Sequence, residues 1–345
     1  MNRKEFIQNT GLISVGASLL PMLGYGNITA ETSIWHNVAR PKSEYDVIVI
    51  GGSYAGLSVA LTLARCLRKV LIIDTGKPRN RFAEQAHNAF LMDGLPPSEI
   101  HKTATKQLSH YQTYLDMLNG EAVDARKEED SFVVTTKNSG ESKASFLVFA
   151  TGATDELPNI KGIAEQWGKN VHHCPYCHGF ESKEGKTLLL TKNFEGLELL
   201  SSLQHWSSEL TVAFQTEMQV PAQLQGFMKQ QSITWTTQNV EEVRSHKNGK
   251  LKEVIYADGS SEEVEHIYIK PKTTYQTQMA EQLGCEKDDS QRLTTDDFML
   301  TTQVGVYAIG DISSKSMGQI IWAVNSGMLA GVHINNMMIA ESLKK

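Results

Sequence analysis

The clearest pattern along the chain is a short, unbroken apolar run that ends in glycines. Residues 45–50 predict a buried parallel strand, because such a strand is covered on both faces and is apolar throughout. The glycine-rich turn that follows leads into an apolar helix over 57–67, and residues 69–74 predict a second strand. This order predicts a βαβ unit, in which a helix connects two parallel strands.

The turn between the first strand and the helix has the composition of a dinucleotide-binding loop. Gly51 permits a tight turn, and Gly56 lets the helix approach the strand so that its N-terminus faces a pyrophosphate. Asp74, 23 residues after Gly51, is placed to accept a hydrogen bond from a ribose 2′-hydroxyl. Ser53 replaces the usual middle glycine with another small residue. The predicted cofactor-binding residues here are Gly51, Gly52, Ser53, Tyr54, Ala55, Gly56 and Asp74.

Two later apolar segments also end in glycine-containing turns. Residues 146–153 include Ala-Thr-Gly, and residues 302–311 end in Gly-Asp. Each alone is compatible with a buried strand and a turn, but the three signatures in this order resemble the FAD domain of flavoproteins with two dinucleotide-binding domains. The resemblance favours FAD over NAD and implies that Asp311 binds the ribityl chain. The predicted contacts are Thr151, Gly152, Gly310 and Asp311.

Between these two segments lie Cys174 and Cys177, separated by Pro-Tyr. Two thiols at this spacing can close a small disulfide ring, and a neighbouring imidazolium or helix N-terminus stabilises the reactive thiolate. A structural disulfide or half of a zinc site are the alternatives. Zinc needs two more ligands at matching spacing, and the other cysteines, Cys66 and Cys285, are isolated. The pair therefore predicts redox chemistry and no metal site.

The order and spacing of these motifs resemble the low-molecular-weight thioredoxin reductase family from about residue 45 to the C-terminus. The string Cys-Pro-Tyr-Cys-His-Gly is most similar to a branch that includes fungal and bacterial dithiol oxidases. The resemblance implies that Cys177 faces the flavin ring, that Cys174 exchanges with substrate, and that the protein forms a homodimer. It also implies that Gln319 and Ile320 contact the flavin, and that a loop after residues 79–81, around His87-Asn88 and Asp93-Gly94, approaches FAD or substrate.

His178 directly follows the second cysteine, where typical members of the family have an aspartate that transfers protons. A histidine with an ordinary pKa of about 6.5 can accept a thiol proton and return it at neutral pH. The alternative role is to cap a turn. We predict Cys174, Cys177 and His178 as the catalytic residues.

The predicted fold is α/β with two Rossmann-like domains. An FAD domain, residues 44–157 and 272–345, is interrupted by an inserted domain of NADPH type, residues 158–271, that carries the Cys-x-x-Cys.

The loop that should bind NADPH in the inserted domain departs from the family pattern. It keeps only Gly196, and Phe194 and Glu195 stand where the pyrophosphate would approach the backbone. No cationic cluster follows the strand over 210–214 to bind a 2′-phosphate. These losses predict that efficient NADPH binding is gone. The alternative is an unusual NADPH site that draws its positive charge from Lys192, Lys270 or Lys272.

Composition and the N-terminus place limits on partners and location. A net charge of −6 gives no electrostatic footprint for nucleic acid or an anionic membrane. Residues 1–30 predict an export signal of a variant twin-arginine type, followed by a linker over 31–43. The apolar run over 11–23 is too short for a stable membrane span. We therefore predict a periplasmic or otherwise exported protein, with a cytoplasmic location as the alternative.

Together these features predict an FAD-dependent thiol/disulfide oxidoreductase that works in the dithiol-oxidising direction. Its substrate would be a small dithiol or a thioredoxin-like protein, and oxygen or another acceptor would reoxidise the flavin. One alternative is an NADPH-dependent thioredoxin-disulfide reductase, or a variant supplied by ferredoxin or a second flavoprotein. Another is a non-catalytic flavin-binding or redox-sensing module.

Overall fold

The computed structural model describes residues 41–192, 194–215 and 219–344. The predicted export signal, residues 1–30, and the first ten residues of the predicted linker, 31–40, lie outside the described residues. Within the described part of the chain, no helix is long and apolar enough to cross a membrane.

The predicted βαβ unit lies in the larger of the two main sheets. Strand β1 (Glu44–Ile50) runs parallel to β2 (Val70–Asp74), and helix α1 (Tyr54–Arg65) connects them. The helix begins at Tyr54 rather than at 57 and ends at Arg65 rather than at 67. The additional N-terminal residues bring the first turn of the helix up to the glycine loop.

The other strands of the larger sheet are β3 (Leu115–Asn119), β4 (Ala122–Glu128), β5 (Ser131–Thr136), β6 (Gly140–Phe149) and β17 (Val306–Ala308). The strand order is β3-β2-β1-β6-β5-β4, with β17 paired to β6. Strands β1, β2, β3, β6 and β17 are parallel, whereas β4 and β5 form an antiparallel extension.

The helices that follow α1 in the described residues are α2 (Pro97–Leu108), α3 (Ile163–Gln166), α4 (Pro175–His178), α5 (Leu200–Trp206), α6 (Ala222–Gln230), α7 (Gln278–Gln282) and α8 (Ile320–Ser342). The apolar side chains of β1 lie on both faces of the sheet, because successive side chains of a strand point to opposite sides. Val47 and Val49 pack in one cluster with residues of α1 and α8, and Ile48 and Ile50 pack in a second. The core of the larger sheet is therefore two-sided, as the apolar run predicted.

A second, five-stranded parallel sheet has the order β11-β10-β9-β15-β8. Its strands are β8 (Val171–His172), β9 (Thr187–Thr191), β10 (Leu210–Phe214), β11 (Thr234–Thr236) and β15 (His266–Ile269). Three antiparallel strands accompany it: β12 (Val240–Ser245), β13 (Leu251–Tyr256) and β14 (Ser261–Glu263). Two parallel, Rossmann-like sheets confirm the predicted fold class.

A two-stranded antiparallel ribbon lies where the chain passes between the two sheets. Strand β7 (Thr154–Glu156) leads out of the larger sheet, and β16 (Lys272–Thr274) leads back from the five-stranded one. In this ribbon Asp155 lies opposite Thr273. The two segments that connect the sheets are therefore paired with each other.

Candidate active site

The residues predicted to bind FAD lie at the carboxyl ends of three neighbouring strands. Gly51 follows β1, Thr151 and Gly152 follow β6, and Gly310 and Asp311 follow β17. Strand β6 pairs with both β1 and β17, so these ends share one edge of the sheet. Ligands of open parallel sheets bind at such an edge.

The glycines of the first loop allow contacts that no other residue could make. Gly51 has a φ of 108°, and a Cβ there would collide with the carbonyl oxygen of Ala150. A Cβ on Gly56 would collide with the carbonyl oxygen of Gly51. The hydroxyl of Ser53, at the N-cap of α1, makes no capping bond to the helix. This N-terminus can therefore present its N–H groups to a phosphate.

Asp74 holds the same loop in shape. Its carboxylate accepts hydrogen bonds from the backbone N–H of Gly52, at 2.8 Å, and of Gly76, at 3.0 Å. An ionised carboxylate has about four acceptor positions, so a ribose hydroxyl could still bind. The sequence predicted only the ribose contact, whereas the structure adds an anchoring role.

The edge formed by the residues that follow β1, β6 and β17, here called the flavin edge, contains a buried polar atom that fits a bound cofactor. Within the described residues, Oγ1 of Thr151 is buried and has no hydrogen-bond partner. Buried hydroxyls are normally paired, so this one is consistent with a missing ligand group. Next to it, Gly152 has a φ of 68° with open space at the Cβ position. We conclude that the residues present fit FAD.

The other predicted contacts lie around the same edge. Ala55 is buried in the first turn of α1, and the hydroxyl of Tyr54 donates to the carbonyl oxygen of Pro97. The backbone N–H of Gly310 donates to Oγ of Ser326 in α8. The second turn of α8 is therefore tied to the Gly-Asp turn.

Cys174 and Cys177 form a disulfide across the single turn of α4, with Cα atoms 5.3 Å apart. Gln319, the N-cap of α8, points its Nε2 at both sulfurs, 3.4 Å from Cys174 and 3.3 Å from Cys177. Asn88 donates to the Oε1 of Gln319 over 3.4 Å. The disulfide is thus brought to the start of α8, where Ile320 is the first helical residue.

The ring of His178 lies among other imidazoles. It stacks on His172, with ring centroids 4.0 Å apart, and presents an edge to His87 at 6.1 Å. His87 Nδ1 in turn lies 3.5 Å from a carboxylate oxygen of Glu181. The Nδ1 atoms of His172 and His178 are buried, and neither has a hydrogen-bond partner in the described part of the chain.

Burial, and after it the charges of His87, His173 and His266, lower the pKa of His178 to about 4. The predicted pKa of about 6.5 is therefore wrong. The imidazole is neutral at pH 7 while the disulfide is closed, so it can accept a proton but lacks the second, acidic proton of an imidazolium. A thiolate formed on Cys177, the preceding residue, would raise the pKa again.

The corresponding loop of the inserted sheet has little room for a phosphate. A Cβ on Gly196 would collide with Oγ1 of Thr191, and Phe194 stands beside Phe214 with ring centroids 6.5 Å apart. Lys270 Nζ lies 3.0 Å from a carboxylate oxygen of Glu198.

A second lysine proposed for an unusual NADPH site also faces a carboxylate. Lys272 Nζ lies 3.0 Å from an oxygen of Glu156. Each such pair reduces the positive potential available to a 2′-phosphate.

Several contacts of the site were absent from the sequence prediction. The resemblance implied that the loop after residues 79–81 approaches FAD or substrate, and the structure places His87 and Asn88 of this loop against His178 and Gln319. No spacing rule could reveal these pairs, because Asn88 and Gln319 are 231 positions apart. Among the described residues, no cluster of three or more His, Cys, Asp or Glu side chains is arranged to hold a metal ion.

The sequence matches the family described as "Pyridine nucleotide-disulphide oxidoreductase" over residues 45–327. It is 28% identical to the thioredoxin reductase sirT of Leptosphaeria maculans, over 86% of this chain and 95% of that protein. It is 26% identical to a thioredoxin reductase of Listeria monocytogenes, over 89% and 98%. The crystal structure of an oxidoreductase from Agrobacterium tumefaciens superposes with a TM-score of 0.79 at 32% identity, covering 86% of this chain and 99% of that one.

Proposed function

Because the chain belongs to the pyridine nucleotide-disulphide oxidoreductase family and is a thioredoxin reductase-like, FAD-dependent enzyme, we propose that it oxidises dithiols through Cys174 and Cys177. The observation that supports this most directly is the position of Gln319. Its amide reaches both sulfurs from the N-cap of α8, the helix that is bonded to the Gly-Asp turn through Ser326. Membership of an enzyme family sets aside the non-catalytic alternative.

The sulfur chemistry balances without a nicotinamide. A substrate thiolate attacks Sγ of Cys174, the Cys174–Cys177 bond breaks, and Cys177 leaves as a thiolate. The second substrate thiol gives its proton to a base, for which we propose His178, and attacks the mixed disulfide. The products are a substrate disulfide and the reduced cysteine pair. FAD, when bound, supplies the two-electron acceptor that restores the disulfide, and oxygen or another acceptor takes the electrons onward.

The direction of the reaction rests on the inserted loop. The five-stranded sheet of the predicted inserted domain, residues 158–271, is complete, yet its loop has Phe194 and a closely packed Gly196 where phosphates would approach. The second candidate, an NADPH-dependent thioredoxin-disulfide reductase, is favoured by the relatives, which are named thioredoxin reductases. The filled loop favours dithiol oxidation.

We also propose an apolar small dithiol as the substrate, with a thioredoxin-like protein as the alternative. Phe90 and Leu91 are 79% and 87% exposed and lie in the loop that carries Asn88. An exposed apolar surface beside a reactive group commonly marks a binding site. This placement would bring an apolar substrate to the disulfide.

Homodimerisation remains a proposal, supported by helix α8. Several apolar residues, each three to seven positions after the one before it, are exposed along it, as expected for an uncovered interface. They are Ile321, Val324, Met328, Val332 and Ile339. Export through residues 1–30 also remains a proposal.

Anaerobic stopped-flow spectroscopy tests the function. Dithiothreitol should bleach the flavin band of the purified protein, and NADPH and NADH should do so at least about a hundredfold more slowly. Cys174→Ser should abolish the response to dithiothreitol, whereas Cys285→Ser, which changes a buried cysteine elsewhere, should not. Rapid bleaching by NADPH together with turnover of thioredoxin would establish the reductase instead.

A further inference from the structure

Arg79 contacts two carboxylates that belong to different parts of the fold. It begins a 3-10 helix, Arg79–Phe82, after strand β2. Its Nε and Nη2 donate to the two oxygens of Asp155, each over 2.7 Å. Its Nη1 donates to Oδ2 of Asp311 over 2.9 Å. One guanidinium therefore links strand β7 of the ribbon to the Gly-Asp turn.

The second strand of the ribbon joins the same group. Thr273 in β16 donates its hydroxyl to Oδ1 of Asp155 over 2.8 Å. Both segments that connect the two sheets, β7 and β16, therefore meet at one carboxylate, that of Asp155. A planar guanidinium that binds a carboxylate through two nitrogens restricts both distance and angle, which a lysine ammonium does not.

The carboxylate that Arg79 binds through two nitrogens is buried. The side chain of Asp155 is only 4% exposed. Burial alone would raise the pKa of Asp155, but hydrogen bonding to Arg79 and its charge outweigh burial and lower the pKa. A carboxylate buried to this degree is costly without its cation. Arg79 is thus the partner that keeps Asp155 ionised inside the protein.

The cluster also lies within electrostatic range of the redox segment. His173 directly precedes Cys174, and its pKa falls to about 4, first because of burial and then because of the charge of Arg79. Both Asp155 and Asp311 act on His173 in the opposite direction. Arg79 is therefore near the disulfide segment, the ribbon and the flavin edge at once.

We propose that Arg79 is a positioning residue for electron transfer. By holding Asp155 and Asp311 with one guanidinium, it keeps the Cys174–Cys177 disulfide in register with the flavin. The inference rests on the proposed use of this disulfide and FAD, but it does not depend on the direction of electron flow or on the substrate.

The test separates disulfide opening from electron transfer to the flavin. In Arg79→Lys, dithiothreitol should open the disulfide at the wild-type rate, measured by alkylation of Cys174 and Cys177 in both flavin-free and flavin-loaded protein. Bleaching of bound flavin should slow at least about tenfold, since a displacement of about 1 Å can cost a reaction 10²-fold. Asp155→Asn, which keeps the side-chain shape, should slow it in the same way. Arg81→Lys, on the exposed face of the same turn, is the matched control and should match the wild type.

Unchanged bleaching in Arg79→Lys and Asp155→Asn would overturn the proposal. So would slow bleaching that is fully accounted for by lost flavin or by slow disulfide opening. Photoreduction of the flavin, followed by counting of the thiols that form, measures electron transfer between flavin and disulfide without a dithiol substrate. If dithiols fail to bleach even the wild type, the proposed function is wrong, but slower thiol formation in Arg79→Lys after photoreduction would still support the role of Arg79. Equal thiol formation would refute it.

Discussion

Two loops occupy equivalent places in the two parallel sheets and differ in what they leave open. The loop between β1 and α1 lets backbone approach backbone at Gly51 and Gly56. The loop after β9 instead carries Phe194, whose ring lies beside Phe214, and a single glycine, Gly196, that is packed on Thr191. A parallel sheet therefore decides where a dinucleotide could bind, but the side chains of the loop decide whether a phosphate reaches the backbone.

The sheet with the filled loop instead concentrates histidines. Four buried or partly buried histidines come between β7 and β16 in the sequence: His172, His173, His178 and His266. Burial is the first cause of a lowered pKa for each of them. These imidazoles are thus close to the Cys174–Cys177 disulfide and not in the loop after β9. Variants in each region test this division between an open loop and a filled one.

The largest effect is expected from closing the open loop. Gly51→Ala adds a Cβ that collides with Ala150 and places alanine at a φ of 108°. Left-handed strain and overpacking together should lower the free energy of unfolding by about 2–5 kcal/mol, and purified protein should lack flavin. Urea unfolding and the absorbance ratio of flavin to protein measure both effects.

Gly249→Ala is the control for this variant. Gly249 also has a positive φ, 84°, but has open space at the Cβ position. It should lose only about 1–2 kcal/mol and keep its flavin. Equal losses in the two variants, with flavin retained in both, would show that the close approach at Gly51 is unimportant.

The sequence was sufficient for features that depend on neighbours along the chain. The apolar run of β1, its glycines and the Cys-x-x-Cys are local patterns, and they predicted the βαβ unit and the fold class. The cluster of Arg79, Asp155 and Asp311 joins residues 76 and 232 positions apart, so no periodicity reveals it.

The pKa of His178 was mispredicted for a related reason. Burial sets this pKa, and burial comes from packing against His172 and the loop that carries His87. Neither contact follows from the position of His178 after Cys177. The acid/base role predicted for His178 remains a proposal, but its protonation at neutral pH needed the folded structure.

An intermediate effect is expected from acid. The folded pKa of His178 is about 4, below its unfolded value of about 6.5. The unfolded state therefore binds more protons between these values, and stability falls as the pH drops from about 6.5 to 4. His178→Gln should remove about 2–3 kcal/mol of this pH dependence. Urea unfolding at pH 7.5 and pH 4.5 measures it.

His246→Gln serves as the control for acid sensitivity, because His246 is exposed in the same predicted domain. Its pH dependence of stability should equal that of the wild type. If His178→Gln also retains the full pH dependence of stability, the buried imidazole of His178 is not what makes the protein sensitive to acid.

The smallest effect is expected from emptying the filled loop. The side chain of Phe194 is 43% exposed, and surface substitutions usually change stability by about 0.5 kcal/mol or less. Phe194→Ala should therefore leave bleaching of the flavin by dithiothreitol within about twofold of wild type. It should not create a response to NADPH either, because the missing glycines and the pairing of Lys270 with Glu198 remain. A more than tenfold gain with NADPH in stopped flow would mean that one aromatic side chain alone closes the site. A comparable loss with dithiothreitol would mean that the filled loop takes part in dithiol oxidation, and the division between the two loops would fail.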